Sequence, residues 1–234
     1  MRNYIILNGV SSQTIAGLLI QNLPPISKPR QRVGIEEIDG RDGDIVTYLG
    51  YGAYDKEFKI GLYGSFDIDE IIEYFNSQGT VTFSNEEDKY YNYQIIEQID
   101  FDKLIRYREA TVKMHVQPFK YSAEDNQKVF SIDSNTSISI RNVGNIYSRP
   151  VITITGSGSI DLYLNGIQLF TINMENYTSI TIDTNNMNAY SGSILLNRNV
   201  TGSYDNFKLN VGNNTISWSG SITQIEIDNY SRWI

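Results

Sequence analysis

Residues 160–171 read Ile-Asp-Leu-Tyr-Leu-Asn-Gly-Ile-Gln-Leu-Phe-Thr, two short apolar runs on either side of Asn165-Gly166. Short runs in which apolar and polar side chains alternate are typical of half-buried β-strands. An Asn-Gly pair favours a type I′ turn, because that turn needs positive φ at both central residues. The stretch therefore predicts a tight β-hairpin and points to a β fold.

The rest of the second half repeats this pattern of short strands and turns. Trp218 alternates with Ile216 in one of the runs and is expected in the core. Strands this evenly spaced are typical of a β-sandwich. The sequence predicts strands at residues 137–140, 151–155, 160–164, 167–172, 179–182, 193–196, 215–218 and 222–227.

The composition changes near residue 123. Residues 1–123 carry 13 of the 19 Lys and Arg and 18 of the 27 Asp and Glu, whereas the later residues are rich in Asn, Ser and Thr. A chain of 234 residues is long enough for two domains, each able to bury a core. We therefore expect domains at residues 1–123 and 124–234.

The first half is predicted to be a β domain with one helix. Residues 68–78 form the predicted helix, with Asp67 and Glu70 in a capping-box arrangement and Gly79 as the stop. Residues 32–37 and 45–49 flank a turn-rich segment that follows several prolines, and this pattern predicts a long hairpin.

Composition argues against catalysis and against nucleic-acid binding. The chain has no Cys and one His, and its formal net charge is −8, which repels phosphates. His115 has no motif around it and is expected on the exposed face of a strand. The carboxylate pairs Asp42/Asp44 and Glu86/Glu87 lie in turn-like sequence, where solvated acids are common. We expect no enzyme activity, no catalytic residue, no metal and no cofactor.

Two further expectations concern membranes and sugars. The sequence shows no secretory leader and no apolar run of the roughly 18 residues that a membrane span needs, so no membrane insertion is expected. A carbohydrate-binding module that contacts host cell-surface glycans remains the alternative function, because exposed aromatic side chains stack on sugar rings. Trp218 and Trp233 are the only tryptophans available for that role.

Four segments of the sequence carry a family resemblance. The first is Gly-Arg-Asp-Gly-Asp at 40–44. The second, residues 106–121, runs from Arg-Tyr-Arg-Glu to Gln-Pro-Phe-Lys-Tyr. The third, residues 142–158, contains Asn-Val-Gly-Asn-Ile-Tyr-Ser-Arg-Pro. The fourth is Tyr-Ser-Arg-Trp at 230–233. Together they span nearly the whole chain, and in this order they resemble the distal tail protein (Dit) family of long-tailed, non-contractile phages or prophages.

The resemblance implies a mainly β fold. Its N-terminal part would be a β-sandwich or split barrel with one α-helix and a long hairpin arm, and its C-terminal part a galectin-like β-sandwich. It also implies a structural hub of the tail tip, made in the host cytoplasm and located in the virion. Residues 1–123 would form a homo-hexameric ring, and residues 124–234 would face outward.

The implied partners are the tail tube protein, the tail-associated tip or lysin protein and the receptor-binding protein, with DNA passing through the ring without specific binding. From the hairpin pattern we expect residues 32–49 to reach a neighbouring subunit, with Arg41 near an acidic partner. Arg41, Asp42 and Asp44 are therefore the candidate interface residues.

Overall fold

The computed structural model of the protein describes residues 2–124, 127–132, 134 and 136–234. The chain is mainly β, and it divides into two compact units, one ending at Ala123 and the other running from Glu124 to Trp233. Each unit has its own hydrophobic core. The predicted fold class is confirmed.

The N-terminal unit contains two short helices and a series of strands. Its elements are β1 Ile5–Leu7, β2 Val10–Ser11, β3 Leu18–Ile20, β4 Gln31–Glu36, β5 Ile45–Tyr51, β6 Tyr54–Leu62, α1 Ile68–Tyr74, β7 Gln78–Phe83, β8 Lys89–Gln94, α2 Phe101–Tyr107 and β9 Glu109–Ser122.

The C-terminal unit is built from strands and two turns of 3₁₀-helix. Its strands are β10 Lys128–Ser131, β11 Ser137–Asn142, β12 Val151–Leu164, β13 Ile167–Asn173, β14 Ser179–Asp183, β15 Asn188–Ser191, β16 Ile194–Leu195, β17 Val200–Gly202, β18 Gly212–Asp228 and β19 Arg232–Trp233.

In the N-terminal unit, a curled antiparallel sheet holds the strands in the order β2-β1-β7-β8-β9-β6-β3. Strand β9 runs through its middle, and its alternate residues Ala110, Val112, Met114 and Val116 are buried. Helix α2 packs against β9 and β6. Strands β4 and β5 form a separate two-stranded sheet.

The helices differ in part from the sequence prediction. The Asp67 side chain caps α1 by accepting from the backbone N–H groups of Asp69 and Glu70, as expected, but the helix ends at Tyr74 because residues from Gln78 onward pair with β8 instead. Helix α2 was not predicted. It is short, buries only Leu104, and ends at a non-glycine residue with positive φ.

In the C-terminal unit, two long strands each take part in two halves of one sheet. The first part of β12 pairs with β14 and the end of β18, and its last part pairs with β13 and the start of β18. The two halves share one core, which makes the folded sheet a sandwich. The sequence predicted four separate strands here, whereas the structure has two continuous strands, β12 and β18, each of which spans two of the predicted ones.

Glycines allow the long strands to bend between the two halves. A Cβ atom on Gly156 would lie 2.3 Å from the Ser221 carbonyl oxygen, and one on Gly220 would lie 2.4 Å from the Ser159 carbonyl oxygen. The hairpin at residues 160–171 is confirmed as β12 and β13, and Asn165 and Gly166 both have positive φ.

Candidate functional site: the hairpin arm

The two-stranded sheet of β4 and β5 is not part of the hydrophobic core of the N-terminal unit. We call residues 31–51 the arm and residues 24–30 its root. Among the described residues, β4 and β5 pair only with each other, and most of their side chains are exposed. The predicted long hairpin is therefore confirmed.

The register of the arm collects apolar side chains on one face. Val33 pairs with Tyr48 and Ile35 pairs with Val46, and directly opposed residues of an antiparallel pair point to the same side. Ile35 is 61% exposed and Tyr48 is 72% exposed. We call these four residues the apolar stripe. An isolated hairpin is marginally stable in water. A partner that buries the apolar stripe would therefore stabilise the arm.

The candidate interface residues lie in the loop that joins the two strands. Arg41, Asp42 and Asp44 are all exposed, and Gly40 and Gly43 supply the positive φ values that let the loop turn. Within the described residues, none of the three charged side chains forms an ion pair. Their role in an interface stays a prediction.

His115 belongs to a row of surface charges across β6 and β9. Its Nδ1 atom lies 2.7 Å from Asp55 Oδ1, while Lys113 Nζ lies 3.2 Å from Asp55 Oδ2 and 2.6 Å from Glu97 Oε1. The hydrogen bond with His115, followed by that from Lys113, lowers the pKa of the Asp55 carboxyl. This row links β6 to β9 at a partly exposed surface.

Glu86 contradicts the expectation of a solvated turn. Its side chain is only 10% exposed; Oε1 accepts from Lys120 Nζ at 2.7 Å and Oε2 accepts from the Tyr91 hydroxyl at 2.8 Å. A turn is present at this position, as predicted, but the carboxylate of Glu86 is buried against Lys120 and Tyr91 instead of solvated. Lys56 lies in the same cluster, and sequence analysis missed it.

Trp218 is 6% exposed, as predicted for a core residue, and is therefore unavailable for stacking on a sugar. Within the described part of the chain, no three His, Asp or Glu side chains converge closely enough to hold a metal ion. None of the described helices has the length and apolar composition that crossing a membrane requires.

Comparison with known proteins gives a structural match. No protein-family model and no curated protein sequence matches the chain. The Dit protein of phage SPP1, described as a paradigm of the hub adsorption apparatus in phages that infect Gram-positive bacteria, matches with a TM-score of 0.63 at 14% identity, over 97% of this chain and 99% of that chain. A chain of the phage P2 baseplate in its activated conformation gives 0.48 at 12% identity, over 97% of both chains. The chain has the fold of a phage distal tail protein, as the sequence motifs predicted.

Proposed function

We propose that the protein is a structural hub of a phage tail tip, in which six copies form a closed ring through their N-terminal units. The observation that carries this proposal is the arm with its uncovered apolar stripe, in a chain that shares the distal tail protein fold over nearly its whole length. A ring needs one surface of a subunit to fit a different surface of the next.

A second copy of the chain is the occupant that best suits the arm. Covering the apolar stripe removes Val33, Ile35, Val46 and Tyr48 from water, which stabilises the complex by about 25 cal/mol for each Å² of apolar area. Covering β4 and β5 would also protect their strand edges, which otherwise invite uncontrolled pairing with other chains.

In this proposal the ring joins the tail tube protein to the tip protein and the receptor-binding protein. The C-terminal unit faces outward as a rigid bracket, and DNA passes through the ring without specific contact. The protein performs no reaction in this role, and its location is the tail tip of the virion. A ring of six subunits carries a formal charge of about −48, from −8 for each chain, and this charge disfavours adhesion of DNA to the ring.

The double variant Ile35→Ser with Tyr48→Ser tests the proposal by electron microscopy of the purified protein. We expect wild-type rings with six lobes and only single subunits for the variant, because its stripe no longer gains from burial. Ile167→Ser is the matched control, since Ile167 is a similarly exposed residue on the C-terminal unit. Rings that persist in the arm variant would contradict the role of the stripe.

Arg41→Glu tests the arm loop separately. If Arg41 meets an acidic group of the neighbouring subunit, reversing its charge replaces attraction by repulsion and should weaken ring formation at low salt more than at high salt. Asp42→Lys and Asp44→Lys report on the other two candidates in the same assay. An undisturbed ring for Arg41→Glu at every salt concentration would remove Arg41 from the interface.

A further inference from the structure

The root of the arm is held without any strand pairing. It contains Pro24, Pro25 and Pro29, and proline has no backbone N–H to donate to a neighbouring strand. The segment from Pro24 to Arg30 lies outside every strand. Its carbonyl oxygens still accept hydrogen bonds: the Gly52 backbone N–H donates to that of Arg30 at 2.9 Å, next to the arm strands, and side chains provide donors for the earlier part of the root.

Three side chains of the N-terminal unit donate to consecutive parts of the root. Asn85 Nδ2 donates to the Pro24 carbonyl oxygen at 3.2 Å, Lys56 Nζ donates to that of Pro25 at 2.8 Å, and the Tyr54 hydroxyl donates to that of Ser27 at 3.3 Å. Tyr54 and Lys56 lie on β6. Strand β6 and the turn after β7 therefore hold residues 24–27 of the root through side-chain hydrogen bonds.

Lys56 is an unusual residue for its position. It lies on the core-facing side of β6, in alternation with the buried Phe58, Ile60 and Leu62, and is 3% exposed. Its ammonium lies 4.9 Å from the ring centre of Tyr91. The ammonium donates to the Pro25 carbonyl oxygen at 2.8 Å, whereas the nearby Glu86 carboxylate accepts its hydrogen bonds from Lys120 and Tyr91.

Burying a lysine ammonium costs free energy, and hydrogen bonds to the ammonium offset part of that cost. An apolar side chain would fill this β6 position without that cost, but it could not reach the root. We propose that Lys56 is a positioning residue for the arm: with Tyr54 and Asn85 it anchors the proline-rich root and fixes the direction in which the arm leaves the N-terminal unit.

An arm with a fixed direction loses less conformational freedom when it meets a neighbouring subunit, and this raises affinity. That consequence rests on the proposed ring. The anchoring itself does not, since all its contacts lie within the N-terminal unit of one chain. The two can therefore be tested apart.

Distances measured between spin labels test the anchor. The chain has no Cys, so Asp42→Cys on the arm loop and Glu57→Cys on β6 place two unique labels. Labelled protein is diluted with unlabelled protein and measured below the concentration at which the chain assembles, so that only distances within one free chain are seen. We expect a narrow distance distribution for the otherwise unchanged chain, and a distribution at least twofold wider for Lys56→Met.

Lys59→Met is the matched control, because Lys59 lies on the same strand and pairs with Glu109 at the surface. It should leave the width unchanged. The variant Tyr54→Phe with Asn85→Ala removes two root bonds and keeps the lysine, so it tests the anchor even if Lys56→Met fails to fold. A width equal to that of the unchanged chain in Lys56→Met, or in this double variant where Lys56→Met fails to fold, would overturn the anchor.

The measurement also separates the anchor from the ring. If the chain never assembles but Lys56→Met broadens the distribution, the anchor stands and the ring fails. If the chain forms rings and the width stays constant, the ring stands and the anchor fails. Where both hold, Lys56→Met should need at least tenfold more protein to assemble than Lys59→Met.

Discussion

The two units fix their irregular segments with partly different side chains. The N-terminal unit uses two buried lysines: Lys56 holds the arm root, and Lys120 pairs with Glu86. The C-terminal unit relies more on asparagine, as when Asn142 Nδ2 donates to the carbonyl oxygens of Ile146 and Leu209 and its Oδ1 accepts from the Gly144 N–H. It also has one buried arginine, Arg232, whose Nε donates to the Tyr147 carbonyl oxygen at 2.8 Å.

The difference accords with the break in composition at residue 123. A neutral amide both donates and accepts, so asparagine can satisfy loop backbone at a small desolvation cost. A buried ion costs more free energy to desolvate. Among the described residues, the buried lysines are Lys56 and Lys120, and Lys56 donates to the root of the arm.

The largest effect is expected when the buried ion pair of the N-terminal unit is broken. Lys120→Met leaves the Glu86 carboxylate buried without its cation and should lower the free energy of unfolding by about 4 kcal/mol. Urea unfolding followed by near-ultraviolet circular dichroism measures this change: 11 of the 17 tyrosines lie in residues 1–123, and the tryptophan fluorescence transition identifies the contribution of the C-terminal unit. A loss below about 1 kcal/mol would mean that the pair behaves like a surface pair.

The corresponding change in the C-terminal unit is Asn142→Ala. It removes the Asn142 bonds to the Ile146 carbonyl oxygen and the Gly144 N–H, while the Leu209 carbonyl oxygen keeps its bond from the Ser148 N–H, and it should cost about 2 kcal/mol. Both tryptophans lie in the C-terminal unit, so their fluorescence during urea unfolding follows this unit. An unchanged tryptophan transition in Asn142→Ala would contradict this role of the amide.

Bending of the long strands provides a third test. Gly156→Ala forces a Cβ atom against the Ser221 carbonyl oxygen and should cost about 2 kcal/mol. Gly158→Ala, with positive φ but open space around its Cβ position, should cost about 1 kcal/mol. Tryptophan fluorescence in urea reports both. A loss at Gly156 no larger than that at Gly158 would contradict the close approach as the reason for glycine at residue 156, because Gly156 has no positive φ.

The smallest effect is a dependence on pH that only the N-terminal unit should show. Burial lowers the pKa of Lys56 from 10.5 to about 8 in the folded chain. Between these values the unfolded chain binds more protons, so raising the pH stabilises the fold. We expect a gain of about 1 kcal/mol between pH 7.5 and 9, below the range where tyrosines ionise.

Lys56→Met should abolish this gain, and Lys59→Met should preserve it. Tyrosine near-ultraviolet circular dichroism in urea at each pH gives the free energies. A wild-type protein whose N-terminal unit becomes less stable over this range would contradict the sign of the Lys56 shift.

Local sequence patterns predicted the elements whose signal is contained in a few residues. Asn165-Gly166 fixed one hairpin, and Asp67 fixed the start of α1. Strand β6 was missed because Asp55, Lys56, Glu57 and Lys59 obscure its alternation. The burial of Glu86 was missed because its partner Lys120 is 34 residues away, and no local pattern reports such a pairing.

The arm, too, was predicted only in part from local sequence patterns. Prolines and turn residues predicted a hairpin, and the register then placed Val33, Ile35, Val46 and Tyr48 on one face. That the hairpin pairs with no other described strand depends on the whole sheet order, which sequence alone does not specify. The role of Lys56 could have been suspected only from a charged residue in an otherwise apolar alternation.

Mass in solution tests the central claim most directly. Analytical ultracentrifugation of the wild-type chain at micromolar concentration should show a species of about 160 kDa, six times the 26.6 kDa of one chain, and the Ile35→Ser, Tyr48→Ser variant should sediment as a single chain. A wild-type protein that sediments at 26.6 kDa over the whole concentration range would contradict self-assembly through the arm.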